Sequence, residues 1–201
     1  MQKIMFNDRY GLTKAVLDGK KKQTRRIVEG HTYVNPFATL CQGKLRVNEI
    51  HKQEEISRFS IGEILAVALP YKQLKFYGVS LSEKTLLWTR HEIEPDESIR
   101  NSPGWNNKMF VKAEFMPHQI RITNIRLERL QDISNEDCLK EGIIEDCPGV
   151  QYSFPTEIGY CGQYPFSTPK AAYAALIDNI SGKGTWEKNP WVFVYEFELI
   201  K

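Results

Sequence analysis

Apolar positions recur along this chain in two periods, and each change of period marks an element. A short apolar run at 3–6 predicts a first strand. Over 10–17, Leu12, Ala15 and Val16 recur at helical spacing, and Asp18 followed by Gly19 supplies a stop. The turn delivers a basic run at 20–28. Residues 29–60 are mixed and polar, with a strand predicted at 44–48. A turn at 60–63 leads into a strand at 64–69, which Pro70 ends. The stretch 70–118 carries few periodic signals. A helix near 72–79, a strand near 84–89 and loop chemistry over 95–107 are what it offers, so it reads as an elaboration or lid on a compact core.

The second half is more regular. Ile120 and Ile122, then Ile125 and Leu127, alternate in two stretches with an odd step between them, which predicts one long strand carrying a bulge. Ser134 with Asp137 three residues on is a capping-box-like start, with Asp in place of the usual Glu or Gln. The helix it opens runs to about Glu141, and Gly142 suits the position after its end. A Pro/Gly-rich loop fills 145–168. A helix follows over 169–180, with Ala172, Tyr173, Leu176 and Ile177 on one face. The chain closes on a β-prone stretch at 191–200, whose expected partners are the first strand and the 120–130 strand.

Several short strands are broken by three short helices, with no regular βαβα alternation and no GxGxxG or GxxxxGK[ST] motif. This disfavours a nucleotide-binding doubly wound sheet. An α+β fold fits better: a small mixed β-barrel with short helices at its side and ends, forming a single domain over 1–201. Loops 70–118 and 145–168 are read as insertions or lids. No apolar run is long enough to span a bilayer and the start lacks a signal-peptide pattern, so a cytoplasmic protein without membrane association is expected. The four cysteines form no CxxC pair and no histidine stands at ligand spacing, so free thiols are expected and neither a metal nor a cofactor is implied. Cys138 fits the buried face of a helix.

Net charge is +2, but its distribution is uneven: residues 1–30 carry eight Lys and Arg against three Asp and Glu. A basic segment on a nearly neutral body suggests an anion site, against the plainer reading of a solvated basic turn.

Three segments together resemble the ASCH family of the PUA-like superfamily. The helix and turn at 11–26 (GLTKAVLDGKKKQTRR) resemble the signature of a helix followed by G-[RK]-K-T-x-T-x-R, with Lys22 where the family usually has Thr. The stretch 121–143 is similar to the strand and "ERLQDIS…EGI" helix of bacterial and phage-borne members, and 189–198 to the closing strand. The resemblance implies a PUA-like barrel with a cleft where the basic turn faces the "EGI" helix. It also implies RNA, a nucleotide or a modified nucleoside as partner. Small bacterial members remove the acetyl group from N4-acetylcytidine with a Lys, a Thr and a Glu, which fall here on Lys21, Thr24 and Glu141, and the motif's Arg falls on Arg26.

Such chemistry needs Thr24 to attack the acetyl carbonyl, a neutral Lys21 to take its proton, and Glu141 to polarise the attacking group or return a proton to the leaving nitrogen. A free Lys titrates near pH 10.4, so burial or the neighbouring Lys20, Lys22, Arg25 and Arg26 must lower it. Arg26 could hold a phosphate, a carbonyl or Glu141 itself. Residues 21 and 24 lie on opposite faces of a regular strand and converge only if 20–24 is a tight turn or one helical turn. In the plainer reading, Glu141 salt-bridges the basic turn. Lys20, Lys22, Arg25 and Arg26 are the expected phosphate contacts. On an extended strand 121 and 129 share a face while 126 points the other way, and Arg121, near the Met-Pro-His turn at 116–118, is preferred to Arg126 and Arg129 for lining the cleft. Trp105, in a loop, is the candidate base-stacking platform. Three functions compete: a binding module for RNA or a modified nucleoside, an amidohydrolase acting on an acylated nucleoside, and an accessory protein that binds a protein partner through loops 70–118 and 145–168.

Overall fold

The computed structural model describes residues 1–28, 34–49, 54–74, 97–155 and 165–200. In chain order the elements are β1 (Gln2–Ile4), α1 (Leu12–Leu17), β2 (Gln23–Ile27), β3 (Phe37–Cys41), β4 (Lys44–Asn48), β5 (Glu55–Ile56), β6 (Ile64–Val67), α2 (Tyr71–Leu74), α3 (Glu97–Arg100) and β7 (Gln119–Arg129). Then come α4 (Asn135–Lys140), β8 (Ile144–Cys147), β9 (Gln151–Ser153), α5 (Pro169–Ser181), α6 (Thr185–Lys188) and β10 (Trp191–Leu199). The fold is α+β. Its main sheet is mixed and five-stranded, in the order β1-β6-β7-β10-β2, beside a three-stranded β3-β4-β5 sheet and the β8-β9 hairpin. Among the described residues no helix is long and apolar enough to cross a membrane.

The chain divides into two compact units. The first takes residues 1–6, the described parts of 64–120, and the last residues from Leu199. Here β1 and β6 pair in parallel, with Ile4 opposite Val67. Its core joins Ala66, Ala68, Leu69, Tyr71, Leu74, Val111 and Met116. The Tyr71 ring leaves no room for a side chain at position 104, where a Cβ would lie 2.6 Å from its Cε2, so Gly104 is fixed by packing. The expected helix near 72–79 is present as α2 over its first residues. The rest of it, and the expected strand at 84–89, lie outside the described residues.

The second unit takes 7–63 and 121–198. In it β2 pairs antiparallel with β10, Thr24 opposite Tyr195 and Gln23 opposite Glu196. The long strand read at 120–130 is present as β7, whose buried Ile122 and Ile125 flank exposed Thr123 and Asn124. At that odd step the Asn124 side chain accepts from the Ile125 N–H at 2.9 Å. The closing strand is also present, but its neighbours are β7 and β2 rather than the first strand. Helix α5 buries Ala172, Tyr173, Leu176 and Ile177, the face its spacing predicts.

Candidate functional site

Two helix ends build the site, both in the second unit. Helix α1 stops at Asp18, and Gly19 adopts φ +69°. The N–H groups of Gly19 and Lys20 then return to Val16 and Ala15, each at 2.9 Å, satisfying carbonyls the helix leaves open. Helix α4 starts where Ser134 accepts from the Asp137 N–H at 3.0 Å. It ends the same way as α1: Gly142 at φ +104°, with Gly142 and Ile143 donating back to Leu139 and Cys138 at 3.0 and 3.2 Å. The Lys22 N–H donates to the Lys140 carbonyl at 2.8 Å, which ties the basic turn to the end of α4. A Cβ at Gly142 would sit 3.2 Å from Leu12 Cδ2 and 3.8 Å from the Cβ of Lys21, so glycine also sets how closely these segments approach.

Between these ends lies a buried ionic network. The Lys21 ammonium donates to Glu141 Oε2 at 2.5 Å and to the Glu141 carbonyl at 2.7 Å. Both residues are buried, at 3% and 4% exposure. Arg25 reaches the other Glu141 oxygen at 2.9 Å, and its far edge donates to Glu128 at 2.6 and 2.9 Å. Gln23 donates to Asp137 at 2.7 Å and accepts from Arg25 at 3.2 Å. Arg126 closes the network, donating to Glu128 at 3.0 Å, to Asp137 at 2.6 Å, and to Glu196. Lys21, Arg25 and Arg126 therefore face four carboxylates, those of Glu128, Asp137, Glu141 and Glu196.

Burial sets the proton chemistry. It holds the Lys21 ammonium below its ordinary value, against the pull of Glu141, while Arg26 and Arg25 push the same way as burial. Burial also opposes the Arg25 charge, but Glu141, Tyr173 and Glu128 outweigh it and keep the guanidinium firmly protonated. Asp137 resists burial in the same manner and is held below the usual carboxylate value by Gln23 and then Arg126. The Cys138 thiol behind them is pushed up to about 12 by burial, so it packs as a neutral group.

The structure thus brings Lys21 and Glu141 together and leaves Thr24 outside their contacts. Gln23 and Arg25 turn one face of β2 to the acids, so strand alternation sends Thr24 to the other face with its register partner Tyr195. Thr24 is buried at 6% exposure, yet its hydroxyl makes no hydrogen bond among the described residues. Arg25 was expected on a phosphate. Its donors are spent on Glu128, Glu141, Asp137 and Gln23, in a buried position. Arg26 is exposed and follows Thr24 in the alternation. Arg121 does not join the cluster: it pairs with Glu198 at 3.2 Å on the exposed surface, and Arg126, on the opposite face, does. Trp105, the candidate stacking platform, is half-buried and packs against the core of the first unit. Gln23 and Glu128 escaped the sequence reading, which took Asp137 only as a cap residue and passed over Arg126 in favour of Arg121. The signal was spacing: Asp137 stands one helical turn before Glu141, and Gln23 shares the strand parity of Arg25.

Beside this network the same helix ends enclose a cleft of about 680 Å³. Ala15, Leu139, Ile143, Ile144 and Pro155 give it an apolar lining, and Lys20 and Lys22 stand at it exposed. Neither of these two lysines makes an ion pair among the described residues, whereas Lys14 and Lys140, also lining it, hold Asp18 at 2.7 Å and Glu136 at 2.6 Å. No group of three metal-ligating side chains is found among the described residues. Comparisons with family models, with curated proteins and with solved structures return no match to this chain, so the reading of the site rests on its geometry and on the motif resemblance.

Proposed function

We propose that the second unit binds RNA or a modified nucleoside, as a domain of ASCH type whose small mixed barrel and cytoplasmic setting belong to the same proposal. The observation that carries it is the cleft. It combines an apolar lining with two exposed ammonium groups that have no ionic partner among the described residues, which is the chemistry of a ligand part base and part phosphate. The buried network serves this reading by holding the basic turn against α4. The test is titration of a short single-stranded RNA by fluorescence anisotropy at low salt. The double variant Lys20→Glu, Lys22→Glu is expected to weaken binding at least tenfold with no loss of thermal stability. Absence of binding by the unaltered protein overturns the proposal.

A second reading, an amidohydrolase acting on an acylated nucleoside such as N4-acetylcytidine, is favoured by the direct contact of a buried, charge-disfavoured Lys21 with Glu141. The position of Thr24 across the strand counts against it, because the nucleophile must meet its base in one site. Acetate release from N4-acetylcytidine, abolished in Thr24→Ala, would establish this reading, and no release at high protein concentration removes it.

A further inference from the structure

Subtracting the internal ion pairs from the cleft leaves three charged groups without an ionic partner among the described residues: Lys20, Lys22 and Glu145. Glu145 differs from an ordinary solvated carboxylate because the β8-β9 hairpin fixes it. Its register partner is Tyr152. Its Oε1 accepts from the Gly149 N–H at 2.7 Å and from the Tyr152 hydroxyl at 3.2 Å. Those two donors fill the acceptor sites of one oxygen, and Oε2 accepts from nothing among the described residues. A carboxylate oriented by its neighbours and left half open is suited to take a hydrogen bond from a ligand, with no further ordering of the side chain needed.

We infer that this cleft takes a single nucleotide whose base carries an exocyclic amino group, with the phosphate at Lys20 and Lys22 and the amino group at Glu145. The inference rests on the nucleic-acid reading above and adds to it the size and identity of the bound unit. A volume of about 680 Å³ is that of a small-molecule site, which admits one nucleotide and excludes a duplex. The apolar lining is aliphatic, so the base packs on Ile143, Ile144 and Leu139 without an aromatic stack. Selection then falls to Glu145. Cytosine and adenine present an amino donor to a carboxylate, as in recognition of the cytosine N4 amino group by acidic side chains. Uracil presents an oxo group at that position, and its one ring N–H lies between two carbonyl oxygens that the carboxylate repels.

The matched pair CMP and UMP differs in that amino-for-oxo exchange and tests the inference directly. Isothermal titration of the unaltered protein is expected to show CMP bound on the order of tenfold more tightly than UMP. Glu145→Gln should abolish or invert this ratio, because an amide can also donate to the uracil oxo group. Lys20→Ala with Lys22→Ala should weaken both ligands by the same factor and leave the ratio intact. Cytidine without its phosphate should bind the unaltered protein as weakly as CMP binds that double variant. Equal binding of CMP and UMP overturns the inference while leaving the binding function standing. Failure of both nucleotides and of the short RNA overturns the function itself.

Discussion

Lys21 and Glu141 lie 120 positions apart in sequence and touch at 2.5 Å in a site that excludes water. Two charges taken out of water are tolerated there because each has further partners. Arg25 shares the Glu141 carboxylate, and the Glu141 carbonyl takes a second Lys21 proton. The cost of removing one partner is therefore the cost of leaving the other buried and under-compensated. Lys21→Met and Glu141→Met are each expected to destabilise the protein by about 3 kcal/mol in urea unfolding. The double variant should lose clearly less than the sum, since the second change removes the charge that the first one orphaned. Additive losses would show that the contact carries no energy. The same residues mark how far sequence reading reached. The motif resemblance named Lys21 and Glu141, which are joined. The basic run, read by itself, offered Arg25 as a phosphate contact, because nothing local in 20–28 shows that Glu128 and Asp137, about a hundred positions later, will surround the guanidinium.

At the scale of elements, the site is held by two helix ends of the same construction. Each ends on a glycine at positive φ, Gly19 and Gly142, and each returns two N–H groups into its own last turn. These ends were legible in the sequence because their signals are local: Asp-Gly after a helical period, and Ser134 three positions before the residue it caps. The pairing of β10 was not legible, because a run apolar at nearly every position fits any central place in a sheet. Its neighbour β2 begins in a segment that reads as a basic turn. The two glycines differ in what surrounds them. Nothing lies within 4 Å of a Cβ placed at Gly19, whereas one at Gly142 meets Leu12 at 3.2 Å. Gly142→Ala should therefore cost about 1–3 kcal/mol through backbone strain and crowding together. Gly19→Ala should cost less, through strain alone. Urea denaturation of the two variants checks the order. An equal loss would show that α1 and the end of α4 are not pressed together at Gly142.

Across the whole molecule, the excess of positive charge in residues 1–30 overstates what a ligand can meet. Lys14 is paired with Asp18, Lys21 with Glu141, and Arg25 with three carboxylates, so three of the segment's eight cations are already held by carboxylates, Lys21 and Arg25 of them inside the fold. The sequence shows the cations close together and their acidic partners scattered, which is why the segment looks like a strongly basic surface when read alone. What remains at the cleft is Lys20 and Lys22. This difference is measurable as a salt dependence. Each phosphate neutralised on a single strand contributes roughly −0.7 to the slope of log K against log salt, so two contacts give about −1.4. Anisotropy titrations of single-stranded RNA between 50 and 200 mM salt, a range of about fourfold, should give a slope near that value, and the Lys20→Ala, Lys22→Ala variant a slope close to zero. A slope several times steeper would mean that the basic segment opens its internal pairs to bind nucleic acid. The buried network would then be the switch that releases it, and the lysines at the cleft only its outermost members.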